Sequence, residues 1–304
     1  MPDAYFVLLD DRGVIAVSGP DRRTFLQGLV SNDVDKIGPD RVRYAALLTA
    51  QGKYLHDFIM AETATEADGT ILLDAEAGRL ADLKRRLSIY RLRAKASLEE
   101  RLDLAVAAVF GDGALAALGL PDEPGRARAF ASGIAFVDPR LAALGARCIL
   151  PRESTRSALT QAGLREAGFE AWDRLRLGLG IADGSRDLEL EKSILLEAGF
   201  DELNGIDWNK GCYIGQELTA RTKYRGLVKR RLVPVMIDGP APAPGTIVTA
   251  DGRDVGEMRS SRDRQGLAVL RINALLGETP LMAGETAIVP ATPDWMRISE
   301  DGNT

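Results

Sequence analysis

A chain of 304 residues exceeds what one ordinary core holds, so two or three compact modules are expected. Its 45% hydrophobic and 27% charged residues are the make-up of a soluble globular protein, and a net charge of −5 excludes a molecule that attracts polyanions over its whole surface. Two cysteines and one histidine exclude a structural zinc site, a multi-histidine metal site and a four-thiolate iron–sulfur site built by one chain.

Residues 1–10 carry acidic residues and no basic one, which is not the pattern of a secretory signal. The longest apolar runs, such as 104–110, fall far short of the roughly 20 residues that span a bilayer. A cytoplasmic protein without a membrane partner is expected.

In chain order, residues 5–9 and 14–17 are short apolar runs around Asp10-Asp11-Arg12-Gly13, a hairpin signal. Gly19-Pro20-Asp21 then opens a helix with Phe25, Leu26, Leu29 and Val30 at helical spacing, closed near Ser31-Asn32-Asp33. Residues 44–48 and 55–60 read as strands joined by a turn at Gln51-Gly52, 71–73 as another strand, and 76–88 as a helix. Strands at 104–110, 134–137 and 146–150 follow, then helices at 154–162 and 169–179. The Pro/Gly-rich stretch "DGPAPAPG" at 238–245 reads as a linker. Beyond it, short strands at 246–249, 255–259, 266–271 and 286–289 fit a small β-barrel, and the tail after Pro293 is expected to fray. The fold class is α+β. The expected divisions are 1–100, 101–165, a helical and motif segment at 166–237, a barrel at 238–292 and a tail at 293–304.

The stretch "KGCYIGQE" at 210–217 sets one of the two cysteines between a lysine and two glycines. A helix starting near Cys212 would place its thiol by unpaired N–H groups and a positive dipole end, with Lys210 nearby, and both favour thiolate. The plainer reading is a small apolar filler beside a glycine turn. From Leu218 to Ile237 there are basic residues at Arg221, Lys223, Arg225, Lys229, Arg230 and Arg231 and no acidic one. Arg221 and Arg225, four apart, form a carboxylate or phosphate fork or, more plainly, a solvated edge. Asn32-Asp33 is a cap and Asx-turn, or an acid facing a ligand. His56 reads as a packed or surface histidine.

Four segments together are specific: "FLQGLVSNDV" (25–34), "LLTAQGKYLHDF" (47–58), "GIDWNKGCYIGQELTARTKYRG" (205–226) and "VGEMRSS" (255–261). In this order they resemble the glycine-cleavage T-protein superfamily. KGCYIGQE resembles its YgfZ branch, and residues 186–222 look most like the subgroup of the mitochondrial iron–sulfur assembly factor. The likeness covers about residues 5–60 and 170–275. It implies a three-module ring of two mixed α/β modules and a C-terminal β-barrel, with a tetrahydrofolate-type site in its channel. The implied role is maturing or maintaining [4Fe–4S] enzymes, including some that modify tRNA. The implied partners are iron–sulfur assembly proteins and those client enzymes.

Carried over by position, the implied catalytic residues are Cys212, Lys210 and Asp33. The implied ligand-binding set is Asn32, Asp33, Gln51, Arg176, Gly211, Tyr213, Gly215, Gln216, Glu217, Arg221 and Arg225. In "LRLGLGIADG", Gly178 stands where the aminomethyltransferases carry a glutamate for the pterin ring, with Arg176 retained. Losing that charge-assisted bond removes about 1.5–3 kcal/mol of binding.

Three readings compete. The first is a non-classical assembly factor whose thiol works on iron or sulfur with a partner's help. The second is a one-carbon transferase of the aminomethyltransferase kind, with Asp33 as its positioning acid. The third is an RNA-binding module using Arg221–Arg231 with Tyr224, which the net acidity favours least.

Overall fold

The computed structural model describes residues 3–63 and 69–298, and the chain divides into two compact units. The first comprises Met1–Leu48, Leu55–Trp172 and Leu203–Ile214; the second comprises Thr49–Tyr54, Asp173–Glu202 and Gly215–Thr304. Among the described residues no helix is long and apolar enough to cross a membrane.

The first unit holds two sheets. One runs in the order Arg43–Leu48, Tyr54–Glu62, Ile71–Glu76, Arg12–Ser18, Ser97–Glu100. All of Tyr54–Glu62 is buried, as a strand covered on both faces must be. Helices Arg22–Gln27 and Leu80–Arg91 bring Phe25, Leu26, Leu83 and Leu87 to its core. The other sheet runs Arg165–Glu166, Tyr5–Leu8, Leu104–Phe110, Ala146–Pro151, Gly133–Val137, Ala127–Phe130.

The hairpin expected between the first two strands does not form. Tyr5–Leu8 pairs with Leu104–Phe110 and Arg165–Glu166, and Arg12–Ser18 pairs with Ile71–Glu76 and Ser97–Glu100. Both strands are too buried to sit at an edge with one neighbour, so each takes two, in different sheets. The first strand therefore belongs to the sheet of the segment expected as a separate module at 101–165. A buried ionic chain links the two sheets. Asp74 accepts from Arg12 and Arg147 at 2.7 Å each, and Asp138 accepts from Arg147 at 3.1 Å and Arg140 at 2.7 Å. Each carboxylate has two cations, the condition under which buried charges are tolerated.

The second unit is built on a closed barrel. Its strand order is Arg230–Asp238, Gln265–Arg271, Arg253–Arg262, Ile247–Ala250, Leu281–Ala283, Thr286–Pro290. Residues 238–245 therefore connect two strands of one barrel, and the boundary expected at 238 is corrected: the barrel begins with Arg230. The basic start of that strand hides it in the sequence, yet Arg231 is buried and bonded to Leu196 O and Glu202. Beyond Pro293 the chain does not fray over its described part. Met296 lies in the barrel core, and Trp295 Nε1 donates to Leu179 O at 2.8 Å. Residues 299–304 of the expected tail lie outside the described residues.

Candidate functional site

In the first unit, the Arg22–Gln27 helix ends at Gly28, and its chain turns through Ser31-Asn32-Asp33 into the short 3-10 turn Val34–Lys36. Ser31, wholly buried, donates its hydroxyl to Gly205 O at 2.6 Å and accepts the Ala46 N–H at 2.8 Å. The Asn32 amide donates to Tyr44 O and Asn204 O, both at 2.7 Å, and accepts the Asp33 N–H at 2.8 Å. Asn32 is thereby a bolt between backbone segments. Asp33 is engaged as well: it accepts from Gln27 Nε2 at 2.7 Å and from the Asp35 N–H at 3.1 Å, and lies 3.5 Å from Lys36 Nζ.

Lys210 completes this turn from far along the chain. Its ammonium donates to Gln27 O at 2.9 Å, Val30 O at 2.6 Å and Asn32 O at 2.7 Å, so each of its three protons has one carbonyl. These are the carbonyls that a helix end and its following turn leave unpaired. Burial lowers the Lys210 pKa to about 8, against the upward pull of Asp33, Asp207 and Asp35, and at neutral pH the group stays a cation. Lys210 is 8% exposed, and its Nζ sits 5.2 Å from the centroid of the Tyr213 ring, itself 7% exposed. Ile214 packs against the core of the first sheet.

Gly211 and Cys212 lie between these anchors, and both are exposed. A Cβ at Gly211 would meet nothing within 4 Å. Lys210 is therefore a pin for the loop, with all its donors spent, and the thiol stands out beyond it. The helix that follows starts later than expected. Gly215 caps it with φ +82°, and Gln216 is its first residue, so Cys212 does not occupy a helix start. A left-handed residue at 215 cannot continue a helix from 212, and glycine is the residue that adopts it without strain.

In the second unit the remaining motif residues gather at the helix Gln216–Tyr224. The turn carrying Gln51 is closed by Gly52 N–H to Thr49 O at 2.9 Å. A Cβ on Gly52, whose φ is +67°, would come 3.0 Å from Gly215 O and 3.1 Å from Leu218 Cβ, so the Gln51 turn abuts the helix start. Gln51, Glu217, Arg221 and Arg225 are exposed, and Gln216 is half-buried. Arg221 is in the last turn and Arg225 is the C-cap, with no carboxylate partner for either among the described residues.

Arg176 stands apart from this group. It is 2% exposed and binds Asp173 and Asp187 at 2.7 Å each. Asp173 also accepts from Arg262, and Asp187 from the Ser260 N–H, which ties the Phe169–Gly178 helix to the barrel. Its Nε and Nη1 are used inside the protein, and its Nη2 is buried without a hydrogen-bond partner. At Gly178, an added Cβ would lie 3.3 Å from Gln265 Nε2, so this side-chain amide borders the place where a glutamate would start.

Two contributors were not singled out from sequence: Gln27 and Asp207. Gln27 bridges Asp33 and the Val34 N–H, while Asp207 binds Lys36 and caps the Asn209 N–H at 2.9 Å. The Asp207-Trp208-Asn209 spacing is an Asx-turn signal that could have marked the last of these.

Comparisons with known proteins bear on this arrangement. Residues 229–298 match the C-terminal β-barrel domain of CAF17. The chain is 34% identical over 306 residues to the mitochondrial iron–sulfur cluster assembly factor IBA57 of Mus musculus, covering 94% of this chain and 84% of that protein. It is likewise 34% identical to IBA57 of Homo sapiens, with the same coverage. Among solved structures, the glycine-cleavage aminomethyltransferase T of Bartonella henselae matches with a TM-score of 0.79 over 98% of this chain and 87% of that one, at 18% identity, a likeness of fold. These relatives are named as mitochondrial, which overturns the cytoplasmic expectation. That expectation rested on the absence of a secretory signal in residues 1–10, a feature that does not report the compartment. With two mixed sheets, a closed C-terminal barrel and this degree of identity, the chain belongs to the IBA57 family, on the aminomethyltransferase fold.

Proposed function

We propose that this protein acts in iron–sulfur cluster assembly, serving [4Fe–4S] client enzymes, with Cys212 as its working thiol. The observation that carries the reading is the exposed Gly211-Cys212 pair held between a lysine whose three protons are bound and a buried tyrosine. A surface cysteine on a fixed loop is within a partner's reach and can ligate iron of a cluster in transit. One thiolate fills one iron position, so the remaining ligands come from the partner that delivers or receives the cluster. Lys210 and Tyr213 position the loop and touch no cargo.

The resemblance also raised tetrahydrofolate. For the ring edge of a pterin, position 178 offers no carboxylate and Asn32 is taken by backbone groups, while the buried Arg176 Nη2 and the buried Gln265 Oε1 beside position 178 have no hydrogen-bond partner. The exposed Arg221 and Arg225 fit an acidic glutamyl tail. The one-carbon transferase reading is less favoured, because the Asp33 carboxylate it would use is engaged by Gln27 Nε2, the Asp35 N–H and Lys36.

The test is restoration of [4Fe–4S] enzyme activity in cells lacking the protein. Cys212→Ser should accumulate normally and fail to restore activity; full restoration refutes the thiol's role. Titration with tetrahydrofolate separates the ligand question, since binding that Arg221→Ala leaves unchanged removes the arginines from it.

A further inference from the structure

A groove of about 1080 Å³ opens beside the barrel of the second unit. Its apolar lining includes Leu227, Ile272 and Leu276, and Leu227 and Leu276 are 45% and 47% exposed. Its rim carries Lys229, Arg230 and Arg271. In the ladder between Arg230–Asp238 and Gln265–Arg271, Arg230 stands directly opposite Arg271, and the next step is the Ile272 N–H to Lys229 O bond at 3.0 Å. Three cations are thus set at one end of one strand pair.

Like charges directly opposite on a ladder destabilise it. Little inside the protein offsets them here. Glu197 reaches only Arg230, at 3.4 Å, and Lys229 and Arg271 have no carboxylate partner among the described residues. On a chain of net charge −5, such a local excess of cations beside exposed leucines is an arrangement that the free protein does not need for its fold. A second hollow of about 140 Å³ shares Arg230 and Arg271 with the groove, but its wall carries Glu189, Asp254 and Glu257, and Arg259 there is paired with Glu257 at 2.8 Å and Glu189 at 3.1 Å, so it adds no free cation to those of the groove.

We propose that this groove docks an acidic segment of a partner protein, with aliphatic side chains on Leu227 and Leu276 and carboxylates on Lys229 and Arg271. Cations beside exposed leucines complement a segment that carries both carboxylates and aliphatic side chains, and the lining contains no aromatic ring on which a nucleic-acid base would stack. The surface lies in the second unit and makes no use of Cys212, so it stands independently of the thiol's role.

The probe is a short fluorescein-labelled peptide of alternating leucine and glutamate, titrated by anisotropy into the full chain. Saturable binding should weaken about tenfold or more in Lys229→Glu/Arg271→Glu, fall when serine replaces leucine in the peptide, and persist in Cys212→Ser. The Arg271→Glu chain should have a Tm no lower than the parent, because the change converts a like-charge pair into an opposite one. The proposal is overturned by no saturable binding, by equal affinity for the charge-reversed chain, or by a lowered Tm in Arg271→Glu. Polyuridine binding more tightly than the peptide would overturn it in favour of a nucleic-acid surface.

Discussion

Cys148 sits in mid-strand between Ala146 and Pro151, with no exposed surface and a core of Ala107, Ala135 and Leu150 around it. Cys212 sits on a loop that two anchored neighbours push into solvent. Burial drives the Cys148 thiol well above its ordinary value, so it stays protonated and inert. The two side chains are chemically identical, and the backbone around each decides whether a partner can reach it. On the function proposed above, the buried lysine and buried tyrosine on either side of the exposed cysteine hold it for a partner.

Lys210→Met attacks the comparison where it is strongest. It leaves three carbonyls without donors, and the unfolding free energy should drop by about 4 kcal/mol in urea denaturation. A loss under about 1 kcal/mol would mean that the pin does not hold the loop.

Burial acts on His56 as it does on Cys148. Burial first, and then the nearby Arg79 guanidinium, lower its pKa from 6.5 to about 4, although the Asp82 carboxylate, 2.9 Å from its Nε2, pulls the other way. The unfolded chain therefore binds the extra proton between pH 6.5 and about 4, and stability falls as pH is lowered through that window. The expected contribution is about 3 kcal/mol between pH 7 and 4, and it should vanish in His56→Asn. Denaturation curves of both chains at the two pH values check this, and identical pH slopes would contradict it.

The cysteines themselves give the smaller effects. Cys148→Ser buries a hydroxyl in an apolar core and should cost about 2 kcal/mol, while Cys212→Ser should stay within about 0.5 kcal/mol. Equal costs, measured by thermal unfolding, would erase the contrast between the two sites.

Much of this site was legible as a pattern and little of it as a geometry. Spacing picked out KGCYIGQE, the Ser31-Asn32-Asp33 turn and the Gln51-Gly52 turn, because each is a local signal. The use of Lys210 was not legible, since its acceptors lie on the first helix and its turn, far away in sequence. The late helix start depended on one dihedral at Gly215. The same limit explains the fold errors. Asp10-Asp11-Arg12-Gly13 reports a turn but not which strands pair, and 238–245 reports a connection but not what it connects. Charge hides one contact: Arg231 stands in a run of basic residues, yet Glu202 and Leu196 O hold it inside.

The most direct measurement is the rate at which iodoacetamide alkylates each cysteine of the native protein, followed by peptide mass spectrometry. Cys212 should be modified at the rate of an accessible thiol while Cys148 stays unmodified until denaturant is added. Comparable native rates at the two positions, or protection of Cys212, would contradict the account.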